Sequence, residues 1–184
     1  LRDETGVSVM QCKKALEEAL GDMDKARVIL RKQGSETASK KAGRTLGAGT
    51  IGSYVHTTKE VAALAQLSCE TDFVSKNEEF IALARDIAMH IAALAPRYIT
   101  REEITADAME KATEVFQSEI RGKPADLREH ILAGKLDAYF TEQILLEQAF
   151  VKDPDRMVGD LLEIATQKFG ERIAVTAMSR LSVK

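Results

Sequence analysis

The chain has 184 residues, enough for one good core with a small appendage. Its formal net charge of −3 gives no global sign of a nucleic-acid partner. No apolar run approaches the ~18 residues of a membrane-spanning helix and no signal-peptide pattern is present, so the chain reads as soluble.

The charge is uneven. Residues 1–47 carry ten Lys/Arg against seven Asp/Glu, a surplus of three, which leaves −6 on the remainder. Arg31, Lys32, Lys40, Lys41 and Arg44 concentrate that surplus. A solvated helix face and an RNA- or acid-binding stripe both fit, although no aromatic is interleaved for base stacking. The two cysteines, Cys12 and Cys69, form neither C-x-x-C nor a metal-ligand spacing, which fits a reducing compartment. The chain opens on Leu1 rather than Met, so preceding residues, including a removed targeting segment, are compatible with it.

Taken in order, residues 1–33 read as a helix pair. Ser8 with Gln11 fits a capping box, and Val9, Cys12, Leu16, Ala19 and Leu20 then share a helical face. Gly21 suits a left-handed C-cap and Asp22 an N-cap. Met23, Ala26, Ile29 and Leu30 give the second helix its apolar face, and Gly34 is expected to stop it. A third, basic helix is expected around Thr37 to Leu46. Gly47-Ala48-Gly49-Thr50-Ile51-Gly52 matches G-x-G-x-x-G, but a dinucleotide site needs a strand before it and a helix after it. Here a basic helix precedes and β-prone residues follow, so a flexible joint is the expectation.

Strands are expected over Thr50 to Thr57 and Val61 to Cys69, joined as an antiparallel hairpin. Val61, Ala63, Ala65, Leu67 and Cys69 share one face. The stretch Cys69-Glu70-Thr71-Asp72-Phe73-Val74-Ser75-Lys76-Asn77 follows, and Ser75 with Glu78 reads as the cap of the next helix. That helix, to Ala95, places Phe80, Ala84, Ile87, Ile91 and Leu94 at 4-3-4-3 spacing, and Pro96 ends it. Phe73 therefore lies at a strand-to-helix junction, with two readings: a wedge into a partner, or a plug in its own core.

Thr100 with Glu103 is a further cap signal. Helices from about Asp107 to Arg121 (Met109, Ala112, Phe116, Ile120) and through Leu127, Ile131 and Leu132 form a helical hairpin broken at Gly122-Lys123-Pro124. Its apolar stripes are thin, so it is expected to protrude. Residues 144–151 look extended, Asp153-Pro154-Asp155 turns the chain, and Met157, Leu161, Ile164, Ala165 and Phe169 line a last helix capped by Gly170. Ile173 to Val183 alternates as a closing strand. The fold class is α+β: a small antiparallel sheet of about three strands packed with helices.

No chemistry of an enzyme stands out. His56, His90 and His130 are scattered, with no Cys, Asp or Glu at metal spacing. No phosphate-binding loop, nucleophile elbow or zinc-protease motif is present. No cofactor and no metal are expected. His90 is expected to be packed, His130 exposed, and His56 is the histidine considered for a contact.

Two separated motifs together carry a specific likeness. They are Leu1-Arg2, Thr5-Gly6, Met10-Gln11-Cys12-Lys13-Lys14-Ala15-Leu16-Glu17-Glu18-Ala19 and Gly21-Asp22, then Cys69 through Asn77. Both resemble translation elongation factor Ts, in that family's order. Gly122-Lys123-Pro124 through Gly134-Lys135-Leu136, and Gln148-Ala149-Phe150-Val151 before a closing strand, resemble its later parts, so the likeness covers essentially the whole chain. The resemblance implies a guanine-nucleotide exchange factor for elongation factor Tu, without an active site of its own. It implies a ubiquitin-associated-like three-helix unit over 1–34, a basic helix and linker over 35–49, and an α+β core over 50–184 with a helical hairpin at about 105–140. Thr71, Asp72, Phe73 and Val74 would dislocate the partner's nucleotide-bound Mg²⁺, and Val9, Met10, Lys13 and His56 are candidates for docking on the GTPase. A single core half resembles the family's short form, which implies a homodimer through the half-sheet and hairpin. Location in the bacterial cytoplasm follows, with an organelle matrix left open.

Ser8, Val9 and Gln11 stand where the family usually has Gly, Met and Asp, and Ser75 replaces a common Ala. The helix cap survives these changes, whereas detailed docking is open. Two other classes remain in view: a helical adaptor working through residues 1–46, and an RNA-associated protein using Arg31 to Arg44.

Overall fold

The computed structural model describes residues 1–122 and 124–183, without the side chains of Asp3, Ala125 and Asp126. The chain begins with a short helix α1 (Arg2–Thr5), closed by Gly6 in the left-handed region, and continues into α2 (Val9–Glu18). Ser8 caps α2: its Oγ accepts from Gln11 N at 3.3 Å and donates to Gln11 Oε1 at 2.9 Å. Asp22 Oδ1 accepts from the backbone N of Asp24 and Lys25, both at 3.0 Å, and starts α3 (Met23–Lys41).

Gly34 does not stop this helix. A Cβ at Gly34 would come within 3.2 Å of Gln167 Oε1, so the glycine marks close packing inside α3 rather than its end. Glycine weakens a helix by about 1 kcal/mol against alanine, and here tertiary packing overrides that preference. The basic helix expected over 37–46 is thus largely the last turns of α3, and the three helices of the N-terminal unit are α1, α2 and α3.

Next come β1 (Ala48–Val55) and β2 (Val61–Cys69), an antiparallel hairpin in register from Ala48↔Cys69 to Val55↔Ala62. The glycines expected to make a flexible joint are a packing device. Gly49 and Gly52 lie within β1, and a Cβ on Gly52 would sit 2.0 Å from Ala84 O, on the helix above the sheet. A single turn, α4 (Asp72–Ser75), precedes α5 (Glu78–Leu94). Because α4 intervenes, the cap of α5 is Asn77, whose Oδ1 accepts from Glu79 N at 2.9 Å; Ser75 Oγ instead donates to Asp72 O. Ala95 in the left-handed region, followed by Pro96, ends α5.

The hairpin helices are α6 (Ala106–Ile120) and α7 (Ala125–Thr141). Thr105 caps α6 through Ala108 N, whereas Glu103 of the expected Thr100 cap accepts from Ile99 N at 2.7 Å. Lys123, in the expected break, lies outside the described residues. A small cluster of Ala112, Phe140 and Ile144, with Tyr98 and Phe116 against it, holds the hairpin's base. Met109 and Leu127 stay exposed, in keeping with thin stripes.

A 3₁₀ turn over Leu145–Glu147 leads to β3 (Ala149–Phe150) and β4 (Asp153–Met157), which pair antiparallel. Asp153-Pro154-Asp155 is therefore strand, not turn; the chain reverses at Val151 and Lys152. Proline is tolerated there because an edge strand needs no second row of hydrogen bonds. Then come α8 (Val158–Phe169), ended by Gly170 at φ 72°, and β5 (Ala174–Ser182). β5 pairs antiparallel with β2, giving the order β1-β2-β5.

The main core lies between this sheet and its helices. Ala63, Ala65, Leu67 and Cys69 bury one face of β2 against Phe80, Ala84, Ile87, Ala88 and Ile91 of α5. Leu94, expected inside, is exposed beyond the sheet's cover. Helix α8 packs on both the core and α3, so its buried residues are Val158, Leu162, Ala165, Thr166 and Gln167, and Met157 is left exposed. His90 is fully buried on α5. Its Nε2 donates to Gln148 Oε1 at 2.9 Å, and its Nδ1 accepts from Val151 N at 3.2 Å. Gln148 Nε2 then donates to Glu142 O at 2.7 Å, which ties the segment after α7 to α5.

Candidate functional site

Between β2 and α5 the backbone makes one tight turn that separates two adjacent apolar side chains. Residues one step apart on a helix point about 100° apart. Val74 turns inward and is 3% exposed; Phe73 turns outward and is 82% exposed. The core-plug reading of Phe73 is therefore excluded, and Val74 fills that role. Leaving a phenylalanine in water forgoes roughly 1.5–3 kcal/mol of burial, a loss that a partner's pocket would recover.

The turn is held from below. Cys69, buried at the end of β2, donates its thiol to Thr71 O at 3.1 Å, and burial pushes that thiol's pKa up. Glu171, in the loop between α8 and β5, accepts from Glu70 N at 3.1 Å, Thr71 N at 3.0 Å and Thr71 Oγ1 at 2.6 Å. The Glu70 carboxylate accepts in return from Arg172 N at 2.6 Å and from Arg44 Nη1 at 3.2 and 3.3 Å. Those donors, Arg172 N first, hold the Glu70 carboxyl below its usual range. Asp72 beside Phe73 pairs with Lys76 at 2.6 Å, which likewise lowers its pKa; both side chains are open to solvent.

Of the four residues expected to act together, the fold brings all into one turn but gives them different work. Asp72 and Phe73 present themselves outward, Val74 anchors, and Thr71 is engaged by Glu171. Val9 and Met10 stand exposed on the first turn of α2, with Lys13 one turn on, paired to Glu17 at 3.7 Å. They adjoin a shallow apolar groove formed by Leu1, Val9, Cys12, Leu16 and Leu20. Leu20, expected on the buried face, is at φ 53° just past the helix and points into solvent; Cys12, Ala15 and Ala19 form the inner face.

His56 is not brought near Phe73. It follows β1 at the turn of the hairpin, its Nδ1 3.0 Å from Thr58 Oγ1, while α4 leaves the opposite end of β2. Eight strand steps separate those ends, roughly 27 Å. His130 is exposed on α7. Among the described residues no group of three or more His, Cys, Asp and Glu could hold a metal ion, and no helix is long and apolar enough to cross a membrane.

Sequence reasoning missed Glu171 and Arg172, and it named Arg44 and Glu70 without bringing them together. They meet across a hundred residues of chain, and nothing local in the sequence marks them as a group.

A family model for elongation factor Ts matches residues 27–184. The chain belongs to the elongation factor Ts family. An elongation factor Ts from Thermosipho melanesiensis is 46% identical over all of this chain and 94% of its own length. One from Thermodesulfovibrio yellowstonii is 48% identical over all of this chain and 92% of its own length. One from Geobacter metallireducens is 44% identical, again over the whole chain. The elongation factor Ts relatives thus cover α1 and α2 as well as the exposed Phe73 turn.

Proposed function

We propose that this protein is a guanine-nucleotide exchange factor for elongation factor Tu, with the Phe73 turn as its working part. The observation that carries the reading is a fully presented aromatic on a braced turn. In P-loop GTPases, Mg²⁺ bridges the nucleotide phosphates and protein side chains. A rigid apolar wedge that enters beside that site displaces the elements holding the metal. Phe73 supplies the wedge and Asp72 a polar contact at its mouth. Once the Mg²⁺ is dislocated the GDP loses affinity, and by reciprocity rebinding nucleotide expels the factor. The protein needs no nucleotide pocket, cofactor or metal of its own for this, and it acts without an active site, in the cytoplasm.

In the same reading residues 1–34 dock on the GTPase through Val9, Met10 and Lys13, and residues 50–184 form the wedge-bearing core. Residues 35–49 are the connection, although α3 runs unbroken across position 34. His56, at the far end of the hairpin, contacts a different part of the partner from Phe73. We also propose a homodimer. Ile51, Val55, Leu64 and Leu181 stand exposed on the sheet face away from α5, an apolar surface that a second copy could cover.

The test is release of labelled GDP from purified elongation factor Tu. The parent should accelerate release strongly, and Phe73→Ala should lose about thirtyfold, the ~2 kcal/mol of a central aromatic contact. Acceleration that survives in Phe73→Ala would place the activity elsewhere on the surface. No acceleration by the folded parent would refute exchange and favour an adaptor working through α2.

A further inference from the structure

We propose that Glu171 is the positioning residue for the Phe73 wedge, an inference that rests on the exchange reading above. Phe73 itself touches too little of the protein to hold its own direction, being 82% exposed. Its aim is set by the backbone at 70–72: the Cys69 thiol holds one carbonyl there, and Glu171 holds the N–H groups. A single Glu171 oxygen, Oε2, takes both the Glu70 and the Thr71 N–H, and the other, Oε1, takes the Thr71 hydroxyl.

The grip is reciprocal. Glu70, whose N–H Glu171 holds, receives the N–H of Arg172 on its own carboxylate. Two neighbouring pairs thus lock crosswise, Glu70-Thr71 with Glu171-Arg172. The lock extends to the end of α3: Arg172 Nη1 donates to Arg44 O at 2.5 Å, Arg44 bonds Glu70, and Lys41 Nζ donates to Gly170 O. The turn that carries the wedge is therefore fastened to the helix that carries the docking unit. Thr71 and Asp72 are exposed, so the lock lies at the protein's edge. Hydrogen bonds in water add little to stability but still fix a direction.

Glutamine can replace Glu171 without loss of geometry. Its Oε1 accepts both N–H groups, and its Nε2 donates to Thr71 Oγ1. Alanine removes all three bonds. A positioning role therefore predicts rescue by the uncharged isostere, which an electrostatic role does not.

The experiment measures GDP release from elongation factor Tu against the concentration of the parent, Glu171→Ala, Glu171→Gln, Phe73→Ala and the Phe73→Ala/Glu171→Ala double variant. Expected are a maximal rate lowered about tenfold in Glu171→Ala, a half-maximal concentration within about twofold of the parent, and a near-parent rate in Glu171→Gln. The double variant should be no slower than Phe73→Ala, because Glu171 acts only through Phe73. A parent-like Glu171→Ala with an impaired Phe73→Ala would overturn the assignment and leave the exchange reading standing. Equal loss in Glu171→Ala and Glu171→Gln, or full additivity in the double variant, would also overturn it. An inactive parent, or a parent-like Phe73→Ala, would instead bring down the wedge reading itself. If Glu171→Ala melts early, Thr71→Val removes only the hydroxyl bond and should lower the maximal rate about threefold at unchanged melting temperature. A parent-like rate in that variant would refute the lock.

Discussion

Replacing Gly52 by alanine isolates the contact on which the core depends. The residue lies mid-strand in β1 and is not among those with positive φ, so alanine is compatible with its backbone. The whole effect is steric. The new methyl would lie 2.0 Å from Ala84 O, 2.2 Å from Ala84 C and 2.6 Å from Arg85 N, all backbone atoms of α5. A side chain could rotate away, whereas a helix backbone must move as a body. Carbon contacts settle near 3.4 Å or beyond, so α5 has to retreat by about 1.4 Å. That opens the layer where Phe80, Ala84, Ile87 and Ile91 meet Ala63, Ala65 and Leu67. Overpacking of this kind costs roughly 1–3 kcal/mol, and backbone on both sides puts Gly52→Ala at the upper end, about 3 kcal/mol. For a chain of this length that is a fall of about 6–12 °C in Tm. Urea unfolding followed by circular dichroism reads it directly, at unchanged slope. Gly134→Ala serves as control: Gly134 lies exposed within α7 with nothing near its Cβ, and alanine there should stabilise by up to about 1 kcal/mol. A flexible joint at Gly52 would make Gly52→Ala neutral or stabilising by about 0.4–1 kcal/mol, and that result would refute the packing argument.

Burial holds the His90 imidazole below its usual pKa of 6.5, so the folded protein refuses a proton that the unfolded chain accepts. Stability contributed by neutral His90 is therefore complete above pH 6.5 and declines as pH falls from there towards the depressed folded value. Difference unfolding curves of the parent and His90→Gln should show this slope vanish in the variant; an equal slope in both would assign it to other groups. Met10→Asp should leave stability within about 0.5 kcal/mol, since Met10 is exposed, yet raise the half-maximal concentration for GDP release about tenfold. An unchanged concentration would remove α2 from docking. Leu64→Lys should shift a sedimenting dimer towards monomer at micromolar concentration without unfolding, and a parent that sediments as a monomer would rule the dimer out.

Much of this architecture was legible because each element carries its own period. The alternation of Ala63, Ala65, Leu67 and Cys69 gave the inner face of β2, and the closing strand was visible in the alternation after Ile173. Errors arose where an element has more than one partner. Helix α8 is covered by both α3 and the core: Leu161, Ala165 and Phe169 of the stripe do pack on the core, but Val158, Leu162, Thr166 and Gln167 are buried as well and Met157 is not. Gly34 and Gly52 looked like punctuation because a sequence does not distinguish a glycine that ends an element from one that lets another backbone approach. The motif around Phe73 marked the site by its family likeness, but which of two adjacent apolar residues faces water depends on the turn between them. Glu171 had no signal at all, because its two partner residues, Glu70 and Thr71, are a hundred residues away.

The unbroken run of α3 through Gly34 makes the molecule a ruler. Its 19 residues span about 28 Å, with α2 packed on the early turns and Arg44 tied to Glu70 just past the far end. No slack separates the two ends. A partner that engages both the α2 groove and Phe73 must offer its two receptors at one fixed interval. The first contact then delivers the second with little further ordering, so selectivity comes from distance as well as from chemistry.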